Sequence, residues 1–207
     1  GKWYVLSIFK NYSTDRLGDT QRALDCTARA LDLDPQSSFA LTIDGFANGN
    51  VLKNMSVAED RYSAAQDINP SESLSWLLRG SLMAFKDEGK AAIRATTMAR
   101  DLSPIDPFGY YFDSLGSSAY LAGGDYEKAL ELADRSLASN DRHISTLRSR
   151  IAALHALERG DEARQAANDL KRRFPDFNLE DYRKTHPSAD QKIGKFMVAA
   201  LSASGIS

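Results

Sequence analysis

The chain has 207 residues, of which 43% are hydrophobic and 26% charged, and its formal net charge is -2. That composition is ordinary for a globular protein able to bury a sizeable core, and the charge gives no reason to expect nucleic acid or an anionic membrane as partner. Cys26 is the only cysteine, which excludes an intrachain disulfide and a thiolate metal cluster.

Lying in an apolar helical stretch, Cys26 is expected to be a small buried thiol. No apolar run approaches the roughly 18 residues that span a bilayer. No signal peptide is legible at the N-terminus, and a start on Gly1 rather than Met suggests a processed fragment. The chain is expected to be cytoplasmic. Residues 142–195 carry 12 Lys/Arg against 8 Asp/Glu, which reads as a solvated basic surface on an acidic array.

Helix-ending prolines recur at Pro35, Pro70, Pro104 and Pro175, spaced 35, 34 and 71 residues apart, and Asp141 fills the missing beat. A period of about 34 residues is the mark of a helical repeat array. In chain order, the first unit has a leading helix around Trp3–Tyr12, then Gly18-Asp19 turning into a helix that carries Ala23, Ala30 and Pro35. The second reads Gly45, Ala58, Tyr62, Ala65 and Pro70.

The third unit is the clearest, with Trp76, Gly80, Ala92, Ala99 and Pro104. Small residues at Ala92 and Ala99 allow two antiparallel helices to approach, while Trp76 is expected to fill the wider gap between units as core. Lys86 to Gly89 supplies the turn, with the glycine expected to take the positive φ. The fourth unit reads Tyr120, Gly124-Asp125-Tyr126, Ala129, Ala133 and Asp141; the fifth reads Leu147, Leu154, Ala163, Ala167, Leu170 and Pro175. An irregular step of three residues, Ile105-Asp106-Pro107, precedes the fourth unit. No alternating strand pattern is present.

These residues resemble the tetratricopeptide repeat, and the resemblance implies an all-α fold: a right-handed superhelix of about five helix-turn-helix repeats. Residues 1–177 form the array, with units near 4–37, 38–72, 73–106, 110–143 and 144–177, and residues 178–207 form a C-terminal capping segment. In that segment Phe177–Tyr182 predicts a short helical turn broken at His186-Pro187, and Ser188 with Gln191 predicts a capping box for a last helix. Ile193, Phe196, Met197, Ala200 and Leu201 share one face of that helix, which is expected to cover the exposed edge of the last repeat.

The stretch Ala99 to Pro107, the Pro175 region and the closing Ala203-Ser204-Gly205-Ile206 resemble more narrowly the C-terminal repeat arrays of bacterial class III adenylate or guanylate cyclases and winged-helix transcriptional regulators. This implies that residues 1–207 are the accessory module of a larger signalling protein. Neither the cyclase aspartates nor a winged helix has a counterpart in the chain.

No catalytic constellation, phosphate loop or metal-ligand spacing is found, so no cofactor and no enzyme activity are expected of this chain. His143 and His186 fall in inter-helix connections and read as bland. His155, on the first helix of the fifth unit, is a candidate partner contact, the alternative being an ordinary surface or packed histidine. The glycines at 45, 49 and 116 read as helix contacts and turns, and Lys171-Arg172-Arg173 as a solvated helix end.

In tetratricopeptide arrays the first helices of successive units line a concave groove. The resemblance places Ala40, Ile43, Ala47 and Asn50 there in unit two, Leu77, Ser81 and Phe85 in unit three, Tyr111, Ser114 and Ser118 in unit four, and Arg148, Ala152 and His155 in unit five. Val5, Ile8 and Tyr12 complete the set in unit one. This lining is apolar and then basic at Arg148, without the polar clamp that grips acidic chaperone tails. The expected function is a non-catalytic interaction scaffold whose groove takes an apolar peptide, an amphipathic helix or a neighbouring domain of the same protein. The alternative is a ligand-sensing module that regulates an attached cyclase or winged-helix domain; the competing account of Ile43, Phe85 and Tyr111 is packing within the superhelix. No nucleic acid or membrane partner is expected.

Overall fold

A computed structural model describes residues 3–4 and 13–207. The leading helix expected around Trp3–Tyr12 therefore lies, apart from Trp3 and Tyr4, outside the described residues, as do Val5, Ile8 and Tyr12. The remaining chain is helical, and among the described residues there is no strand. The helices are α1 (Arg16–Leu33), α2 (Ser38–Asn50), α3 (Met55–Ile68), α4 (Ser73–Phe85), α5 (Gly89–Leu102), α6 (Gly109–Gly123), α7 (Tyr126–Ser139), α8 (Ile144–Ala156), α9 (Gly160–Arg173), α10 (Leu179–Thr185) and α11 (Lys192–Ala203).

Local chemistry sets many of the starts. The side chains of Asp15, Ser37, Asn54, Asp125 and Asn178 accept from backbone N–H groups in the first turns of α1, α2, α3, α7 and α10, respectively. The short link inside each pair closes through a residue at positive φ: Lys53, Asp87, Gly124 and Glu158, spaced 34, 37 and 34 residues apart. The long interval contains the three-residue step at 105–107, so the backbone repeats the uneven beat seen in the prolines.

In the third unit the positive φ belongs to Asp87 and not to the expected Gly89. Gly89 instead opens α5, where an added Cβ would lie 2.4 Å from the carbonyl oxygen of Ala122 in the next unit. A side chain is excluded there because two backbones meet.

Packing follows a two-layer scheme. Helices pair as α2 with α3, α4 with α5, α6 with α7, and α8 with α9, and each pair stacks on the next. The first helices α2, α4, α6 and α8 touch one another in series and form the inner layer. Gly80 on α4 brings α5 so close that an added Cβ would lie 2.6 Å from Thr96 Cγ2, and Ala92 and Ala99 are fully buried. One core joins α6 to α9 and the C-terminal segment, and another joins α1 to α6 at the opposite end.

Three further sequence expectations fail locally. Cys26 is exposed, because the polar face of α1 carries it. Trp76 is only partly buried: it packs at the edge of the core while its indole N–H donates to the Pro70 carbonyl at 2.8 Å. Leu77 and Leu78 take the interior in its place. The last helix has no capping box, since its N-cap is Gln191 without a side-chain bond, and Ser188 instead binds His186 Nδ1 at 2.9 Å.

Candidate functional site

The cap of α11 comes from far along the chain. The Asp87 carboxylate accepts from the backbone N–H groups of Lys192 and Ile193, each at 2.8 Å. Lys53 Nζ donates to the Lys184 carbonyl at 2.8 Å. Thus two of the three non-glycine residues held at positive φ among the described residues, Lys53 and Asp87, tether the C-terminal segment to the turns of units two and three. Backbone strain of this kind persists where surrounding structure or function holds it.

The segment as a whole lies over the inner helices. α11 packs on α8 and reaches α4, α10 packs on α11, and the His186 ring meets Phe85 edge-on at 5.1 Å. Phe196 stacks with Tyr126, while Met197, Ala200 and Leu201 are buried in the core of α8 and α9. The expected one-sided stripe exists, but its helix does more than close the edge of the last unit. It roofs the concave face.

Beneath this roof is a cavity of about 340 Å³. Its floor is formed by Asn50 on α2, Ser81 and Phe85 on α4, Tyr111 and Ser118 on α6, and Arg148 on α8. Tyr182, His186, Ile193 and Met197 close it from above, and Arg142 and His143 line the side between α7 and α8. Of the groove residues read from sequence, Asn50, Ser81, Phe85, Tyr111, Ser118 and Arg148 are thus brought together.

The others are not. Ala40, Ala47, Leu77, Ser114 and Ala152 are buried in the packing between helices. Ile43 is also buried, and borders a separate apolar hollow of about 280 Å³ with Phe46, Leu74, Leu78 and Tyr110. His155 is partly buried and does not line the cavity. Conversely, His143 and His186, which read as bland, both line it. Sequence reasoning missed them because connections between helices carry no periodic signal.

Arg148 is walled in by protein yet keeps some accessible surface, which it owes to the cavity. Its guanidinium lies 4.4 Å from the Tyr182 ring centre and 5.9 Å from that of Phe177, and donates to Ser145 Oγ at 2.9 Å. Burial lowers its pKa, partly opposed by Tyr182. His186 is driven well below the usual histidine value, first by burial and then by the positive charges of Arg148 and Lys53, so its ring is neutral near pH 7. The Ser188 N–H donates to its Nδ1, which leaves the ring proton on Nε2. For His143 a hydroxyl chain sets the opposite tautomer: Ser136 Oγ donates to the Tyr110 carbonyl, Thr146 then donates to Ser136, and His143 Nδ1 donates to Thr146.

Among solved structures the chain superposes on PilW, a widely conserved type IV pilus biogenesis factor, with a TM-score of 0.70 and 15% identity over 98% of this chain and 92% of that one. It also matches a thermophilic TPR protein of Thermus thermophilus, with a TM-score of 0.65 and 16% identity over 98% and 97% of the two chains. A third match is YrrB, a TPR protein with an unusual peptide-binding site, with a TM-score of 0.56 and 12% identity over 86% and 90%. No protein-family model matches the chain, and no curated protein sequence matches it. At these identities the likeness shows the fold: a solenoid of tetratricopeptide type.

Proposed function

We propose that the chain is a non-catalytic interaction module whose concave face docks an amphipathic helix, and that residues 178–207 occupy that face until a partner helix replaces them. The observation that carries this is the seating of α11 itself: an apolar stripe on the inner helices, and a helix N-terminus received by Asp87. A face that accepts one helix in this way has the apolar floor and the anchoring carboxylate to accept another. Residues 1–177 would then be the array, in the accessory position of a bacterial signalling protein that the narrower sequence resemblance implies. The peptide-binding site named for YrrB is in keeping with this reading.

The test is competition by a labelled peptide with the sequence of residues 179–207, which includes His186, followed by fluorescence anisotropy. Asp87→Ala removes the cap of α11, a loss of about 0.5–2 kcal/mol, and so loosens the resident helix by roughly two- to thirtyfold. Because the variant also lacks the cap for an incoming helix, the peptide is amidated and carries an Asp substituted for Gln191 to cap itself. It is expected to bind Asp87→Ala at least about twofold more tightly than the parent, and Phe85→Ser in the same background is expected to remove that binding. Failure to bind Asp87→Ala overturns the reading.

A second reading, a ligand-sensing module regulating an attached cyclase or winged-helix domain, is favoured by a different observation. The roof does not fill the groove, and the cavity left beneath it falls within the roughly 300–1,000 Å³ typical of small-molecule sites.

A further inference from the structure

Eight arginines lie between residues 135 and 173. Six of them, Arg135, Arg150, Arg159, Arg164, Arg172 and Arg173, are ion-paired with carboxylates. The two that are not, Arg142 and Arg148, both line the cavity. Among the described residues no Asp or Glu side chain lies within ion-pairing distance of Arg148, and residues 1–2 and 5–12 contain neither Asp nor Glu. The chain itself therefore has no further carboxylate side chain to offer. A cation walled in by protein without a counter-ion is costly, and such a group in a cavity points to a ligand that supplies the missing charge.

We propose that the cavity binds a small organic monocarboxylate with an apolar body, which pairs with the Arg148 guanidinium beneath the C-terminal segment. The charge fits a single carboxylate: Arg148 is the one enclosed cation among the lining residues, and Arg142 stands exposed at the side, so a dianion would lack a second buried partner. Tyr182 and Ser145 hold the guanidinium in place, so the planar fork is set before a ligand arrives. Phe85, Leu115, Ile193 and Met197 supply apolar walls for the remainder of the ligand. The volume equals that of about ten waters, which limits the ligand to a small molecule. Tyr182, His186, Ile193 and Met197 belong to both the cavity wall and the roof, so an occupied cavity stabilises the closed segment.

This proposal rests on the ligand-sensing reading of the cavity but needs no attached domain, and its failure leaves the helix-docking experiment standing. Isothermal titration calorimetry of the full chain with hexanoate, benzoate and indole-3-acetate, each beside its carboxamide, tests it. At least one carboxylate is expected to bind with a dissociation constant below about 1 mM, at least tenfold tighter than its amide. Arg148→Met is expected to lose that binding tenfold or more while melting within about 3 °C of the parent or above it, since it removes an uncompensated buried charge. Should the Met variant not fold, Arg148→Lys keeps the charge without the fork and is expected to bind more weakly while still preferring carboxylate over amide. The proposal is overturned if no carboxylate is preferred over its amide, if Arg148→Met binds as the parent does, or if the Lys variant has no such preference.

Discussion

Gly89 and Gly160 occupy the same place in their units, the first residue of the second helix, yet their surroundings differ. A Cβ on Gly89 would meet the backbone of Ala122 and Gly123 at 2.4–2.5 Å, whereas on Gly160 the nearest atom is the mobile end of Arg164 at 3.5 Å. Backbone cannot yield as a side-chain tip can. Gly89→Ala is therefore expected to cost on the order of 1–3 kcal/mol through overpacking. Gly160→Ala is expected to be neutral or to stabilise by up to about 1 kcal/mol by restricting the unfolded chain. Urea denaturation of the two variants checks the contrast. Gly89 read as a turn residue in the sequence; the approach of the following unit is what separates it from Gly160. Trp76 teaches the same lesson, since its size suggested core but its indole N–H sits at the surface, where the Pro70 carbonyl receives it.

At the scale of elements, the unit is a helix pair closed by one residue at positive φ. Gly124 meets that demand without a Cβ penalty, but Lys53, Asp87 and Glu158 do not. For Lys53 and Asp87 the side chain has a task, because each holds the C-terminal segment. Glu158 holds no part of that segment through a hydrogen bond or ion pair among the described residues. Glu158→Gly is thus expected to stabilise the protein by up to about 1 kcal/mol, while Gly124→Ala is expected to destabilise it by about 1–2 kcal/mol, as thermal melting would measure. The uneven spacing of these turns was visible in the prolines, whose beat precedes them by about half a repeat. Which non-glycine residue bears the strain was not visible, because that depends on what its side chain reaches.

The whole molecule is a solenoid closed on its inner face by its own C-terminus, and the closure should respond to acid. His186 sits between Phe85, Tyr182 and Ser188, with the cations Arg148 and Lys53 facing it from the array. Its folded pKa lies below the ordinary value of 6.5, so the unfolded chain takes up the proton first. As pH falls through 6.5, the unfolded state binds more protons than the folded one. Stability is then lost until the pH passes below the lowered folded value, with a slope of up to about 1.4 kcal/mol per pH unit from this group. His186→Gln is expected to flatten the decline in melting temperature between pH 7 and 5; an unchanged decline would assign it to the carboxylates instead.

The sequence by itself determined the helices, their pairing and the uneven repeat, because these rest on local signals: caps, small residues at helix contacts, and a period of about 34. It also marked Asn50, Ser81, Phe85, Tyr111 and Arg148 as facing inward, since a repeat carries its register along the chain. The tertiary structure alone decided that Ala40, Ala47, Leu77 and Ser114 are consumed by packing, that Asp87 caps a helix more than a hundred residues away, and that His143 and His186 join Arg148 around one cavity. Those contacts join residues with no shared period. The path of the last segment over the concave face follows from where its apolar stripe can be buried and where its unpaired N–H groups find an acceptor.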